Sequence, residues 1–273
     1  MTERVSVIIP TYNRREQLGD SIQSVLQQTY NYLELIVVDD GSEDDTEEMV
    51  RAIKDNRLRY IKLHKNTGAG YARNEGVRQS QCSLIAFQDS DDLWRPERLE
   101  HQMRYWQEHP DCDMIYCPYL AHVMKDGKIL KEAKVPDWDW GELEGNIFHS
   151  LLKQNTIGAP TILMRKDCFL EVGGFDVMLR TLEDWDFALR VSEKYTIGYL
   201  DEVLVDAFIS EGGVSTSGAG THFDTKCRMI ARYREQMIED GIFDKALMDL
   251  FQDAEKNGVL NEVTKMLLVL MNR

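Results

Sequence analysis

The sequence predicts an α/β fold, a mostly parallel central sheet flanked by helices, with a small helical region at the C-terminus. Three observations lead there. Four short apolar runs, 5–9, 33–38, 58–63 and 84–87, punctuate the first 110 residues. Between them lie 16–28, 46–54 and 69–79, with apolar residues at helical spacing; in the first, Leu18, Ile22, Val25 and Leu26 share a face. Beyond residue 220 only helical periodicity remains, over 225–239, 242–256 and 259–271. Continuous β-branched runs separated by helices are the pattern of a parallel sheet covered on both faces.

The elements that follow the fourth run are less regular. Pro96 suits the first turn of a further helix, which ends near His109-Pro110. Residues 114–124, the turn Asp126-Gly127 and then 129–130 read as a β-hairpin. Runs 161–164 and 196–208 predict strands, with a helix over 183–194 between them. Residues 212–220, rich in glycine and serine, predict a hinge.

Length and charge narrow the function. A chain of 273 residues, 43% hydrophobic, can bury a sizeable core. With 47 acidic against 32 basic residues, a net charge of −15 argues against gripping nucleic acid, whose phosphates need a basic face. Residues 226–273 hold 8 of each sign, so the whole excess lies in 1–225. No apolar run approaches the roughly 18–20 residues of a spanning helix. The chain runs from Met1 straight into a strand, so no secretory signal is expected. Five cysteines (Cys82, Cys112, Cys117, Cys168, Cys227), an odd number without CxxC spacing, read as reduced cytosolic thiols.

In α/β sheets ligands sit past the carboxyl ends of the strands. There the first run delivers Pro10-Thr11-Tyr12-Asn13-Arg14, the second Asp39-Asp40-Gly41-Ser42, and the fourth Gln88-Asp89-Ser90-Asp91-Asp92. Carboxylates gathered at one edge repel unless a cation or a donor ligand joins them. A divalent metal held by one or two of them and completed by ligand phosphates satisfies that requirement. Gly68-Ala69-Gly70-Tyr71-Ala72-Arg73 lacks the third glycine of a dinucleotide fingerprint and follows the wrong strand, which excludes an NAD site.

Together with Gly173-Gly174-Phe175-Asp176 and Glu183-Asp184-Trp185-Asp186, these segments resemble glycosyltransferase family 2, over about residues 4–210. The resemblance implies the GT-A fold and an inverting transfer from a nucleotide-diphosphate sugar, a UDP-sugar above all, to an acceptor hydroxyl. It divides the chain into a GT-A domain, 1–215, and a C-terminal helical region, 216–273. Within the domain, 1–110 would bind the nucleotide and 111–215 the acceptor.

Position by position, it implies that Tyr12 stacks on the base in a donor pocket lined by Pro10, Thr11 and Asn13. Asp40 would accept a hydrogen bond from the base, with Asp39 pointing into the turn. Arg73 would lie near the donor phosphates. In the DxD-like element, Asp91 would contact Mn²⁺ or Mg²⁺, with Asp89 by the ribose or the metal and Ser90 beside the donor. Asp92 is either a spare carboxylate there or a cap for the helix beginning at Pro96. Of the acidic pair, Asp184 would be the general base and Glu183 a support for the helix start; Asp186, two residues on, faces another side. His222 would reach the metal as the hinge closes, and Trp138 and Trp140 would stack on an acceptor sugar or simply pack.

The acceptor implied is a glycan or lipid-linked glycan in surface polysaccharide or glycolipid synthesis, reached from the cytoplasm. The transferred group would be a hexosyl or N-acetylhexosaminyl unit. The C-terminal helices, with Met266-Leu267-Leu268-Val269-Leu270-Met271, are expected to meet a second subunit or the inner face of the membrane; the alternative is that they pack back on the catalytic domain. Two other functions compete. A Mg²⁺-dependent phosphohydrolase would use an aspartate after the second strand as nucleophile, though Asp39 and Asp40 are adjacent where that chemistry wants one residue between. A non-catalytic nucleotide-sugar-binding domain would have lost acidic positions, and none is lost.

Overall fold

A computed structural model describes residues 3–137, 141–210 and 219–271. Strands β1 (Val5–Thr11), β2 (Leu33–Asp39), β3 (Leu58–Lys62) and β4 (Leu84–Phe87) alternate with helices α1 (Arg15–Leu26), α2 (Thr46–Ala52) and α3 (Ala69–Gln79). Every residue of β1 and β2 is buried. Alternation along β1 explains how: Ile8 joins an apolar cluster on one side of the sheet, while Val5, Val7 and Ile9 join another on the opposite side. Both faces are covered, as the continuous apolar runs predict.

Beyond β4 come β5 (Leu93–Trp94), α4 (Arg98–Glu108), β6 (Met114–Tyr116), β7 (Tyr119–Lys125) and β8 (Lys128–Val135). Then follow α5 (Phe148–Lys153), a 3₁₀ turn at Ala159–Thr161, β9 (Leu163–Arg165), α6 (Lys166–Glu171), α7 (Glu183–Ser192), β10 (Ile197–Tyr199) and β11 (Val205–Ser210). The large sheet runs β10-β6-β9-β4-β1-β2-β3, with β9 antiparallel to both neighbours. Its other pairings are parallel. A second sheet, β5-β11-β7-β8, stands beside it.

Two expected strands divide. The run 114–124 becomes β6 in the large sheet and β7 in the small one, interrupted at Cys117-Pro118, where proline removes a ladder donor. The run 196–208 becomes β10 and β11 in the same way. The Asp126-Gly127 hairpin forms between β7 and β8, with φ of 49° and 71° at its two central residues, as a type I′ turn requires.

Three side chains from the β5–α4 corner fasten the 3₁₀ turn. Trp94 Nε1 donates to the carbonyl of Pro160, Gln102 Nε2 to that of Thr161, and Arg98 Nη2 to that of Ile162. The Arg98 guanidinium, wholly buried, lies 3.6 Å from the centre of the Trp94 ring. The segment after Asp92 is thereby tied to the loop that precedes β9.

Helices α8 (Ala219–Arg232), α9 (Arg234–Glu239), α10 (Phe243–Lys256) and α11 (Leu260–Met271) complete the chain. The helix expected at 225–239 is two, broken at Tyr233, and the first starts inside the stretch read as a hinge. Residues 211–218 of that stretch lie outside the described residues. These helices pack back on the α/β body: Phe223, Tyr233, Met237, Leu250 and Leu267 share an apolar cluster with Phe148 and Phe187. Met248 and Val269 stay 60% and 57% exposed, leaving an apolar face outward. No helix among the described residues is long and apolar enough to cross a membrane.

Candidate active site

The carboxyl ends of β1, β2 and β4 meet as expected, with Thr11 opposite Asp39 and Ile8 opposite Phe87. Pro10 and Thr11 are buried, and Tyr12 is 40% exposed just beyond them. Asn13 adopts a left-handed φ of 50°, a conformation that asparagine tolerates. It stitches two turns together: its N–H donates to Ser42 Oγ at 2.9 Å, and its Oδ1 accepts from the Glu43 N–H at 2.9 Å.

The adjacent aspartates after β2 do different work. Asp39 is wholly buried and accepts from the Ser42 N–H and the Tyr60 hydroxyl. A phosphohydrolase nucleophile must reach its phosphate, so that reading fails at Asp39. Asp40 accepts from the Thr67 N–H and hydroxyl and from the Gly68 N–H, at 2.6–2.9 Å. It therefore pins the loop that opens α3, and a base would have to share a carboxylate already engaged.

After β4, Asp89 and Asp91 diverge. Asp89 Oδ1 meets Arg73 Nη2 at 2.5 Å, while Asp91 Oδ2 faces Arg14 Nη2 at 3.6 Å. Ser90 is buried between them. Burial, and then the charge of Asp89, push the Asp91 carboxyl above the usual range. Asp92 is buried and also pushed up, by burial first and by Asp89 and Asp91 next; its Oδ1 accepts from the Phe208 N–H at 3.0 Å. That bond ties the acidic segment to β11. Helix α4 has no side-chain cap, so the capping role weighed for Asp92 is not its role.

This donor set suits a hard cation. Asp91, its side chain 29% exposed, offers carboxylate oxygen and stands among like charges, which fits Mn²⁺ or Mg²⁺ bound by one or two carboxylates and completed by oxygens of a ligand. No three metal-ligating side chains converge among the described residues, so a cage made of protein alone is absent from them. His222 lies beside Lys226 and Asp253. It sits on α8, where burial and Lys226 hold its imidazole below the usual range and Asp253 opposes them. Trp138 and Trp140 lie outside the described residues.

The acidic pair opens α7 after Leu182, which takes a left-handed φ of 55°. Glu183 Oε1 pairs with Arg73 Nη1 at 2.7 Å. Asp184 forms no ion pair with any described residue. Its Oδ1 accepts from the Trp185 N–H at 2.8 Å and lies 3.4 Å from Asn155 Nδ2. Burial first, then the charge of Glu183, push its carboxyl up to about 7, against the opposing pull of Arg73. A carboxylate titrating near neutrality is matched to accepting a proton from a hydroxyl. Arg73, expected near the donor phosphates, is buried between Asp89 and Glu183.

Asn155 and Tyr119 are site residues that sequence reasoning missed, while Arg14 was placed at the strand end without a role. Tyr119 begins β7, packs over Gly158 and is influenced by the charges of Asp184 and Asp92. An open cleft of about 570 Å³ runs beside Asp91, lined by Arg14, Gln17, Leu93, Met124 and Phe208 among others.

Comparison with known proteins agrees with this arrangement. The family model described as "Glycosyl transferase family 2" matches residues 6–169. An uncharacterized glycosyltransferase of Rickettsia felis is 34% identical over 78% of this chain, which spans only 34% of that protein's length. The TuaG protein of Bacillus subtilis, described as a putative teichuronic acid biosynthesis glycosyltransferase, is 29% identical over 78% of this chain and 82% of its own. Among solved structures, the 1–349 fragment of S. aureus TarS in complex with UDP-GlcNAc superposes with a TM-score of 0.68 at 20% identity, over 98% of this chain and 89% of that one. At that identity the likeness concerns the fold, which is the GT-A arrangement of a parallel-dominated sheet with acids at its carboxyl edge. With the strand-end acids, the Glu183-Asp184 pair and the family match in agreement, this chain belongs to glycosyltransferase family 2.

Proposed function

We propose that the protein transfers a sugar, with inversion, from a UDP-sugar to the hydroxyl of a glycan or lipid-linked acceptor. One observation carries this reading: Glu183 is bound to Arg73, whereas Asp184 forms no ion pair with a described residue, and burial pushes its carboxyl up to about 7. Family membership supports the reaction class. The TarS complex with UDP-GlcNAc and the name of the teichuronic acid relative support a UDP-linked hexose or N-acetylhexosamine and a surface polysaccharide.

In this mechanism Tyr12 and the turns held by Asn13 and Asp40 border the nucleotide, while the Asp89–Asp91 segment faces the diphosphate. Asp91, with Asp89 beside it, would hold the divalent cation, which offsets charge on the departing diphosphate. The acceptor oxygen forms its bond to the anomeric carbon as the bond from that carbon to the UDP oxygen breaks. The hydroxyl proton passes to Asp184, and UDP leaves. Attack from the face opposite the leaving group inverts the anomeric centre. Incubation with Mn²⁺ and a panel of nucleotide sugars tests the reading: UDP should appear only with acceptor present, and release of free phosphate in its place overturns it.

A further inference from the structure

Arg73 is a buried cation shared by acids from the two ends of the site. One Nη lies 2.5 Å from Asp89 at the end of β4, and the other 2.7 Å from Glu183 at the start of α7. Its side chain is only 6% exposed, and its guanidinium lies 5.3 Å from the centre of the Phe175 ring. Asp89 stands two residues before Asp91, and Glu183 one residue before Asp184. A planar guanidinium fixes both the distance and the angle between the carboxylates that it joins, which an ammonium point charge does not.

We propose that Arg73 is a positioning residue that divides the acidic pair into two roles: it holds Glu183 in a buried ion pair, leaves Asp184 as the proton acceptor, and locks the base-bearing helix to the donor-side strand. This rests on the reading of Asp184 as the base. Without Arg73, Glu183 would stand as a second unpaired carboxylate beside Asp184, and α7 would lose its tie to β4. Each Nη already donates to a protein acid, which favours a positioning role.

The test uses the full chain with Arg73→Lys, Arg73→Met, and Arg73→Met combined with Glu183→Gln. UDP affinity is read by calorimetry with Mn²⁺, and kcat and KM are measured with the donor found in the nucleotide-sugar panel. Arg73→Lys keeps the buried charge and should fold even if Arg73→Met does not. It should change UDP affinity less than about threefold while lowering kcat at least about tenfold, because only the fork geometry is lost. In the Arg73→Met background, Glu183→Gln should recover kcat severalfold by removing the charge left unpaired. A tenfold loss of UDP affinity with kcat retained makes Arg73 a donor contact and overturns the proposal, as does the absence of any recovery in the double variant. Asp184→Asn, assayed alongside, separates the two levels: near-normal transfer there removes the base reading itself, whatever the Arg73 variants do.

Discussion

Asp184 Oδ1 and Asn155 Nδ2 stand 3.4 Å apart, joining the start of α7 to the loop after α5. That contact is long, and the firmer one is the Trp185 N–H at 2.8 Å. Neither offsets the cost of holding a charged carboxylate in this enclosed position, so ionisation is deferred to about pH 7. Only the ionised form accepts a proton. Transfer should therefore rise about tenfold per pH unit below 7 and level off above it. Asp184→Asn should leave UDP affinity nearly unchanged and lower the rate by about two to four orders of magnitude. Glu183→Gln should cost less. Near-normal transfer by Asp184→Asn beside a dead Glu183→Gln would move the base to Glu183.

The same shift has a consequence for stability. Asp184 titrates near 7 in the folded chain and near 3.8 when unfolded, so between these values the folded chain binds the extra proton. Its contribution is fully present below about pH 4 and is lost as pH rises through 7. Urea midpoints of the wild type, compared with Asp184→Asn at pH 5 and pH 8, should show the variant gaining relative stability at the higher pH. A difference that stays constant across that window would contradict the shift.

Asp91 points toward Arg14, away from the Arg73 clamp, and is the freer of the two DxD carboxylates. Asp91→Ala should abolish Mn²⁺-dependent UDP binding with the fold intact. Calorimetry that finds unchanged affinity removes Asp91 from the metal site.

What the sequence made legible follows from where each signal resides. Strands β1, β2 and β4 are buried on both faces, so their apolar runs are continuous, and the acids at their ends need only chain order to be placed together. Signals fade where strands change sheets, because the apolar run continues past Cys117-Pro118 while the hydrogen-bonding partner does not. Strand β8 is almost wholly exposed and rich in lysine, so only Ile129 and Leu130 hinted at it. Asn155 and Tyr119 reach the site through tertiary contacts that no local spacing encodes, and what spacing does not give for Arg14 is its pairing with Asp91. Arg73 was found by position, yet its burial between two acids was not visible from helical spacing.

Gly76 marks the closest approach of α3 to the sheet. A Cβ there would lie 2.4 Å from Ile8 Cγ2 and 3.2 Å from Val38 Cγ2. Both neighbours are fully buried and have no room to retreat. Gly76→Ala should therefore destabilise by about 1–3 kcal/mol through overpacking, despite the better helix propensity of alanine. A urea midpoint equal to that of the wild type would mean that α3 shifts freely on the sheet.

Asp186 shares a helix turn with Asp184 but points into the body of the protein. It is wholly buried and accepts from Arg190 Nε at 2.8 Å, one turn along α7, and from Arg232 Nη1 on α8. Arg232 also reaches Asp176 at 3.3 Å. Asp186, together with Asp176, thus ties the C-terminal helices to the catalytic half. Removing one partner of a buried ion pair typically costs about 3–5 kcal/mol, since the other charge is left uncompensated. Arg232 is 45% exposed and can turn to water, which places Asp186→Ala near the low end, at roughly 3 kcal/mol. Arg232→Met should cost less, because Arg190 still neutralises the carboxylate. Urea unfolding of both variants checks this: if both unfold at the wild-type midpoint, α8 is held by its own packing with Phe187 and Phe148, and the ion pair is incidental.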